Sequence, residues 1–310
     1  MLPPPRLHRV VMHLTTREYL LATVAYADIF DYPLTEDDAY FWFIQKIPAK
    51  NFRSLRPPGV SRHKHFLFLN GRKRILITHA VRREAAKDKW HIARAVGLWL
   101  RLIPTIKLVG VTGGLAVNNT DPDDDIDLFI ITSQGVMWVS RLLATIVVGL
   151  LGKRRKPGDV QVANKICLNM FMCEDALRLT SGEQDLFAAH EVLQMEPLWA
   201  RGDIHWQFLR ANNWVKTFLP VAWDIRRAAK NNHPKSTYIW TRLAVVVLRL
   251  FELPAKIGQL LYMQGRRKNE IITSSVLRFH PQDARSWIRD KLKIRLAKYN
   301  IPLDNIFYDR

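Results

Sequence analysis

Cysteine is almost missing from this 310-residue chain, which holds only Cys167 and Cys173. Two thiols six residues apart, with no histidine cluster beside them, make neither a disulfide framework nor a zinc pattern. Both lie in or beside an apolar run and read as small hydrophobes of a reducing compartment. Long uncharged apolar stretches are missing too. The opening MLPPPRLHRVVMHL lacks the continuous apolar core of a secretory leader. The runs 136–151 and 243–253 are short for a bilayer, and Arg141, Arg249 and Glu252 interrupt them. Buried or amphipathic helices account for both runs, so a soluble, cytoplasmic chain without a membrane span is expected. No internal repeat or low-complexity tract occurs, which excludes a solenoid. With 48% hydrophobic residues, extensive disorder is excluded as well.

Acids are scarce, 28 against 47 Lys and Arg, for a net charge of +19. The scarcity is uneven. Residues 1–100 carry 17 basic and 8 acidic side chains, and residues 233–310 carry 15 and 6. The stretch 101–232 is nearly balanced, with 15 and 14. A neutral middle between two basic blocks suits a polyanionic partner, either nucleic acid or an anionic membrane.

The acids that do occur are concentrated where they matter most, in LVGVTGGLAVNNTDPDDDIDLFIITS from Leu108 to Ser133. An apolar run reaches Gly113 and Gly114, crosses a polar spacer, and meets Asp125-Ile-Asp127 at the head of a second apolar run. Side chains two apart on a strand share a face, so the two carboxylates converge. Carboxylates so placed repel each other unless a cation lies between them. Their hard oxygens suit Mg²⁺ or Mn²⁺, which bridges carboxylates and substrate phosphates. The glycines leave room for phosphates against backbone N–H groups at a helix start.

Gly113, Gly114, Asp125 and Asp127 resemble the signature of the polymerase-β-like nucleotidyltransferase superfamily: a Gly-Gly or Gly-Ser turn, a spacer, then Asp-x-Asp. The whole layout, YADIFDYPLT included, resembles a bacterial group that joins a winged-helix-like segment to such a domain. The resemblance implies that Asp125 and Asp127 are catalytic metal ligands and that Gly113 and Gly114 hold a nucleoside triphosphate, with Asn118 in the spacer touching phosphate or ribose. It implies Mg²⁺-dependent transfer of a nucleoside monophosphate from the triphosphate to a hydroxyl acceptor, RNA or DNA among them. It also calls for a third carboxylate on a neighbouring strand. The expected strand reads Ile166-Cys-Leu-Asn-Met170, so Cys167 or Asn169 stands where an acid belongs. Asp159, just before that strand, is the substitute ligand if the register differs. Without one, the alternative is a catalytically degenerate domain that senses nucleotide and binds nucleic acid. Asp159 beside the pair would favour the enzyme, and a basic side chain there the sensor.

Around the motif the expected fold class is α+β: a mixed nucleotidyltransferase-type sheet with helices. A winged-helix-like segment (1–79) precedes the central domain with its leading helix (80–232), and a basic helical region (233–310) follows. Thr15 with Glu18, Thr35 with Asp38, and Thr180 with Glu183 form helix-opening capping boxes. The second of these helices is expected to run to about Ile47. Residues 65–69 and 74–78 around Asn70-Gly71 read as a hairpin wing carrying Arg62, Lys64, Arg72, Lys73 and Arg74. Arg72, Lys73 and Arg74 are the candidate nucleic-acid contacts. A helix over 80–102, a strand over 106–111, a helix over 138–151 and a strand over 165–172 follow. The remainder reads as helical, broken at Pro197, Pro220, Pro234 and Pro254, with a basic patch at Gly265, Arg266, Arg267 and Lys268 and a turn before Asp283.

Overall fold

The computed structural model describes residues 14–229, 239–264, 271–278 and 284–308. The opening thirteen residues, Pro234, the 265–268 patch and Asp283 lie outside the described residues. The chain is α+β, with two sheets and helices on both faces of the larger one.

The N-terminal part begins with α1 (Thr16–Asp28), followed by β1 (Leu34–Thr35), α2 (Glu36–Phe41) and α3 (Ala49–Arg53). Strands β2 (Val60–His63) and β3 (Phe66–Leu69) complete a small antiparallel sheet in the order β1-β3-β2. Thr15 accepts from the Glu18 amide at 3.3 Å while Glu18 accepts from the Thr15 amide at 2.7 Å, closing the first capping box. Thr35 and Asp38 close the second in the same way. That helix stops at Phe41 rather than near Ile47.

The wing is displaced from its expected place. The hairpin joins β2 to β3 through Lys64 at φ 54°, so residues 60–63 pair with 66–69. Asn70-Gly71 ends the hairpin and starts α4 (Ile75–Leu100), which absorbs the expected second strand. Ile75, His79, Ala86, Ala93, Val96 and Leu100 are buried along α4, and this helical spacing outweighs the apolar run at 75–77 as a strand signal.

The central sheet is built from β4 (Ile106–Val111), β5 (Ile126–Thr132), β6 (Ile166–Cys173) and β7 (Glu196–Ala200). Two short strands, β8 (Ile271–Ile272) and β9 (Val276–Arg278), extend it to the order β7-β4-β5-β6-β9-β8. The β5–β6 pair is parallel and the other pairs are antiparallel. The C-terminal third is therefore not all helix. Pro197 does not break a helix either; it sits in β7 on the sheet edge, where a missing N–H costs no ladder bond.

Along β5 the side chains alternate between two cores. Leu128 and Ile130 face one with helices α4, α6 (Met137–Leu150) and α11 (Glu252–Met263). Phe129 and Ile131 face the other, with α1, α7 (Leu186–Gln194), α8 (Ile204–Ala211), α9 (Pro220–Ala228) and α12 (Ala284–Ala297). Burial on both faces explains why β5 reads as a continuous apolar run. Thr180 and Glu183 cap only a single 3-10 turn, and α7 takes its own cap from Asp185, which accepts from the Ala188 amide at 2.8 Å. The remaining helices are α10 (Ile239–Arg249) and the short α13 (Asp304–Phe307). Among the described residues no helix is long and apolar enough to cross a membrane.

Candidate functional site

Strand β4 ends at Val111, and the chain turns at Gly113 into the single helical turn α5 (Gly113–Ala116). Gly113 has φ +65°, a conformation disfavoured for residues with a Cβ, and a Cβ there would lie 3.2 Å from Asp127 Oδ2. The turn backbone thus lies against the carboxylate. At Gly114 a Cβ would come within 2.6 Å of the Asn119 carbonyl oxygen, while the Asn119 amide donates to the Gly114 carbonyl at 2.8 Å. Glycine is therefore required at 114 by the closed 114–119 loop, which leaves no room for a serine.

Asp125, Asp127 and Cys167 bring their ligand atoms within 4.8 Å of one another, the one such group of three found among the described residues. All three are half-buried. In the parallel β5–β6 register Asp127 lies beside Cys167, and a bulge follows, so Phe129 pairs with Met170. Asn169, two residues on from Cys167 and so on the same face of β6, donates from Nδ2 to Asp127 Oδ1 at 2.7 Å. Burial, with Asp125 adding repulsion, pushes the Asp127 carboxyl up to about 7. Burial, then repulsion from Asp127 and Asp125, raises the Cys167 thiol, which disfavours a thiolate nucleophile.

The loop that follows α6 delivers a cation. Ile166 donates to the Lys153 carbonyl and Arg155 donates to the Ile166 carbonyl, lacing the loop to β6. Arg155 Nη1 then reaches Asp125 Oδ2 at 2.6 Å and Cys167 Sγ at 3.8 Å. Asp159 is not brought to the pair. It accepts from Lys165 at 2.8 Å and from the Lys156 amide at 2.9 Å, which corrects its expected role as the third ligand.

Asn118 and Asn119 divide their work. Asn118, at φ 54°, accepts from Trp90 Nε1 at 2.8 Å. Asn119 is buried and donates to the Phe30 carbonyl at 2.9 Å. The acidic spacer is pinned from α4: Lys89, 1% exposed, donates to the carbonyls of Pro122 (2.9 Å) and Asp124 (2.6 Å) and to Asn164 Oδ1 (3.3 Å). Arg82 grips Asp121 through two bonds of 2.8 Å.

Two cavities flank the turn. One, of about 430 Å³, is lined by Tyr26, Trp42, Gly114, Asp124 and Lys291 among others. The second, of about 400 Å³, holds Asp127 and Asn169 against an apolar wall that includes Phe129, Val192 and Phe208. Phe30, Gly113, Glu191 and Trp287 line both. Glu191, on α7, belongs with His190 to a pair that reads from the sequence as helix structure, yet it lines both cavities. Its carboxyl is pushed up to about 7 by burial and then by repulsion from Asp127. Its neighbour His190 is structural, stacked on Tyr26 at 4.0 Å.

Of the candidate nucleic-acid contacts, Lys73 and Arg74 are exposed. Arg72 bonds Asp28 at 2.9 Å and also Asp31, so its charge is committed inside the chain. Asp125, Asp127 and Cys167 could together hold one metal ion, which would relieve the repulsion between the carboxylates. Cys167 is a poor ligand for a hard cation, and Arg155 already engages Asp125 Oδ2. No family model, curated protein or solved structure matches the chain.

Proposed function

We propose that the chain binds a nucleoside triphosphate at Gly113–Gly114, with Mg²⁺ or Mn²⁺ on Asp125 and Asp127, and transfers the nucleoside monophosphate to a hydroxyl acceptor. The observation that carries this reading is the 3.2 Å approach of a Cβ built at Gly113 to Asp127 Oδ2, which sets the glycine turn directly against the carboxylate. The strand–turn–strand–helix–parallel-strand order of β4 to β6 supports a polymerase-β-like layout. The element order α1-β1-α2-α3-β2-β3, with its sheet in the order β1-β3-β2, supports a winged-helix-like segment. When bound, the cation would neutralise the phosphates and the departing pyrophosphate.

The chain's own groups account for the rest. The acceptor oxygen bonds to the α-phosphorus, the bond to the bridging oxygen breaks, and pyrophosphate leaves. We assign Glu191 as the group that takes the acceptor proton, because it lines both cavities beside Asp127. Asn169 orients Asp127. The apolar wall of the second cavity suits an acceptor with an apolar body at least as well as an RNA or DNA end.

Arg155 on Asp125, with Cys167 behind it, favours a second reading: a nucleotide sensor without turnover. One experiment separates the two. The native chain and Asp125→Asn are incubated with labelled ATP, CTP, GTP and UTP, Mg²⁺ or Mn²⁺, and a pool of cellular RNA, DNA and metabolites. Transfer of label by the native chain alone is the expected result. Metal-dependent nucleotide binding without transfer assigns the sensor, and binding unchanged in Asp125→Asn removes the site assignment.

A further inference from the structure

Helices α10 and α11 present an apolar face to solvent that the site does not use. Leu243 and Val246 on α10, Leu250 just past its end, and Leu253, Ile257 and Leu261 on α11 are between 49% and 78% exposed. Their spacings of three, four and seven or eight residues put each set on one stripe of its helix. The inward contacts lie on the other side. Leu248 packs towards the core from α10, while Ala255, Gln259 and Met263 are the buried residues of α11.

This orientation is fixed by polar bonds as well as packing. Glu252 accepts from the amides of Trp138 (2.8 Å) and Val139 (3.0 Å) at the start of α6. Gln259 donates to the Trp138 carbonyl at 2.8 Å and accepts from Arg141 at 2.6 Å. Turning α11 to hide its leucines would break all four bonds. The stripes meet at the joint between the helices, where Phe251 is also exposed. An exposed apolar surface of this extent marks an interaction site.

Charge selects the occupant. Residues 239–264 contain Arg242, Arg249 and Lys256 and a single acid, Glu252, which is turned inward to α6. The chain as a whole carries +19, so a second copy would meet this face against strong repulsion. The partner must offer apolar depth and negative charge together.

We propose that the α10–α11 face docks on an anionic lipid bilayer, lying in the interface with its leucines among the upper acyl chains and no segment crossing. The geometry is that of an amphipathic hairpin held at the surface of a folded body.

The test is sedimentation of the full chain with vesicles of phosphatidylcholine alone and of phosphatidylcholine with one quarter phosphatidylglycerol. The comparison variant is Leu250→Glu with Leu253→Glu. Both positions are exposed, so the fold and nucleotide binding should persist. The native chain should bind the anionic vesicles about tenfold more tightly than the neutral ones. The double variant should lose that binding by about tenfold or more. Equal binding by the native chain and the double variant would overturn the proposal, as would absence of binding to either vesicle. A dimer in light scattering that the double variant dissolves, with no vesicle binding, would assign the face to a second copy instead.

Discussion

At the scale of single residues, burial decides how this chain handles charge. His190 is buried against Tyr26 and Trp42, and burial alone lowers its pKa from 6.5 to about 3. The unfolded chain binds a proton on this ring below pH 6.5, while the folded chain resists doing so until about pH 3. Between these limits the unfolded state holds more protons, so stability rises with pH and is lost as pH falls. The maximal slope from one such group is about 1.4 kcal/mol per pH unit. His190→Phe keeps the aromatic stack and removes the proton. Urea unfolding at several pH values between 3.5 and 6.5 should show a shallower dependence for the variant. Parallel curves for variant and native chain would mean that His190 is not held neutral.

At the scale of elements, what the sequence makes legible is what local chemistry decides. The motif strand 106–111 appears as expected, as do the helix near 138–151 and the strand near 165–172, because apolar runs of strand or helix length carry their own signal. All three Thr-based capping boxes form. The misplaced wing shows the limit: Ile75 to Thr78 suits a strand locally, yet continues a helical burial stripe that becomes clear only across α4. Glu191 reads from the sequence, with His190, as helix structure, because its proximity to Asp127 is made by α7 packing over β5 and no sequence spacing announces it. The register shift after Asp127 is equally silent in the sequence, whereas Asn169 is legible on the site face of its strand.

Lys89 belongs to this scale too. One buried amino group on α4 fixes a loop 33 to 35 residues away in sequence, and through it the approach to Asp125. Lys89→Met preserves the aliphatic stem but strands two carbonyls and one amide oxygen. The expected loss is about 2–4 kcal/mol of stability, together with weaker metal-dependent nucleotide binding. Denaturant midpoints and nucleotide titrations check both. A stable variant with unimpaired binding would show that the spacer holds its shape without the lysine.

For the whole molecule, the question is whether the basic N-terminal segment, the central sheet and the basic C-terminal helix are separate bodies. Sequence composition divides them cleanly, but the packing does not. One hydrophobic core runs from Leu20 on α1, through Phe129 of the central sheet and Leu193 of α7, to Leu292 on α12 and Phe307. At its edge Asp28, with 3% of its side chain exposed, accepts from Arg72 Nε of the first segment at 2.9 Å. It also accepts from Arg295 Nε of α12 at 2.7 Å, and its carbonyl accepts a further bond from the same arginine. Removing one partner of such a buried group leaves the remaining charges uncompensated, at roughly 3–5 kcal/mol. Asp28→Asn should therefore lower the denaturation midpoint of the full chain as a single transition, seen alike by tryptophan fluorescence and far-ultraviolet dichroism. If the segments folded independently, the two probes would separate, and the substitution would move only the transition of the part that contains residue 28. Coincident transitions that fall together would instead mean that Asp28, held by Arg72 and Arg295, ties the N-terminal segment to α12 in one cooperative body.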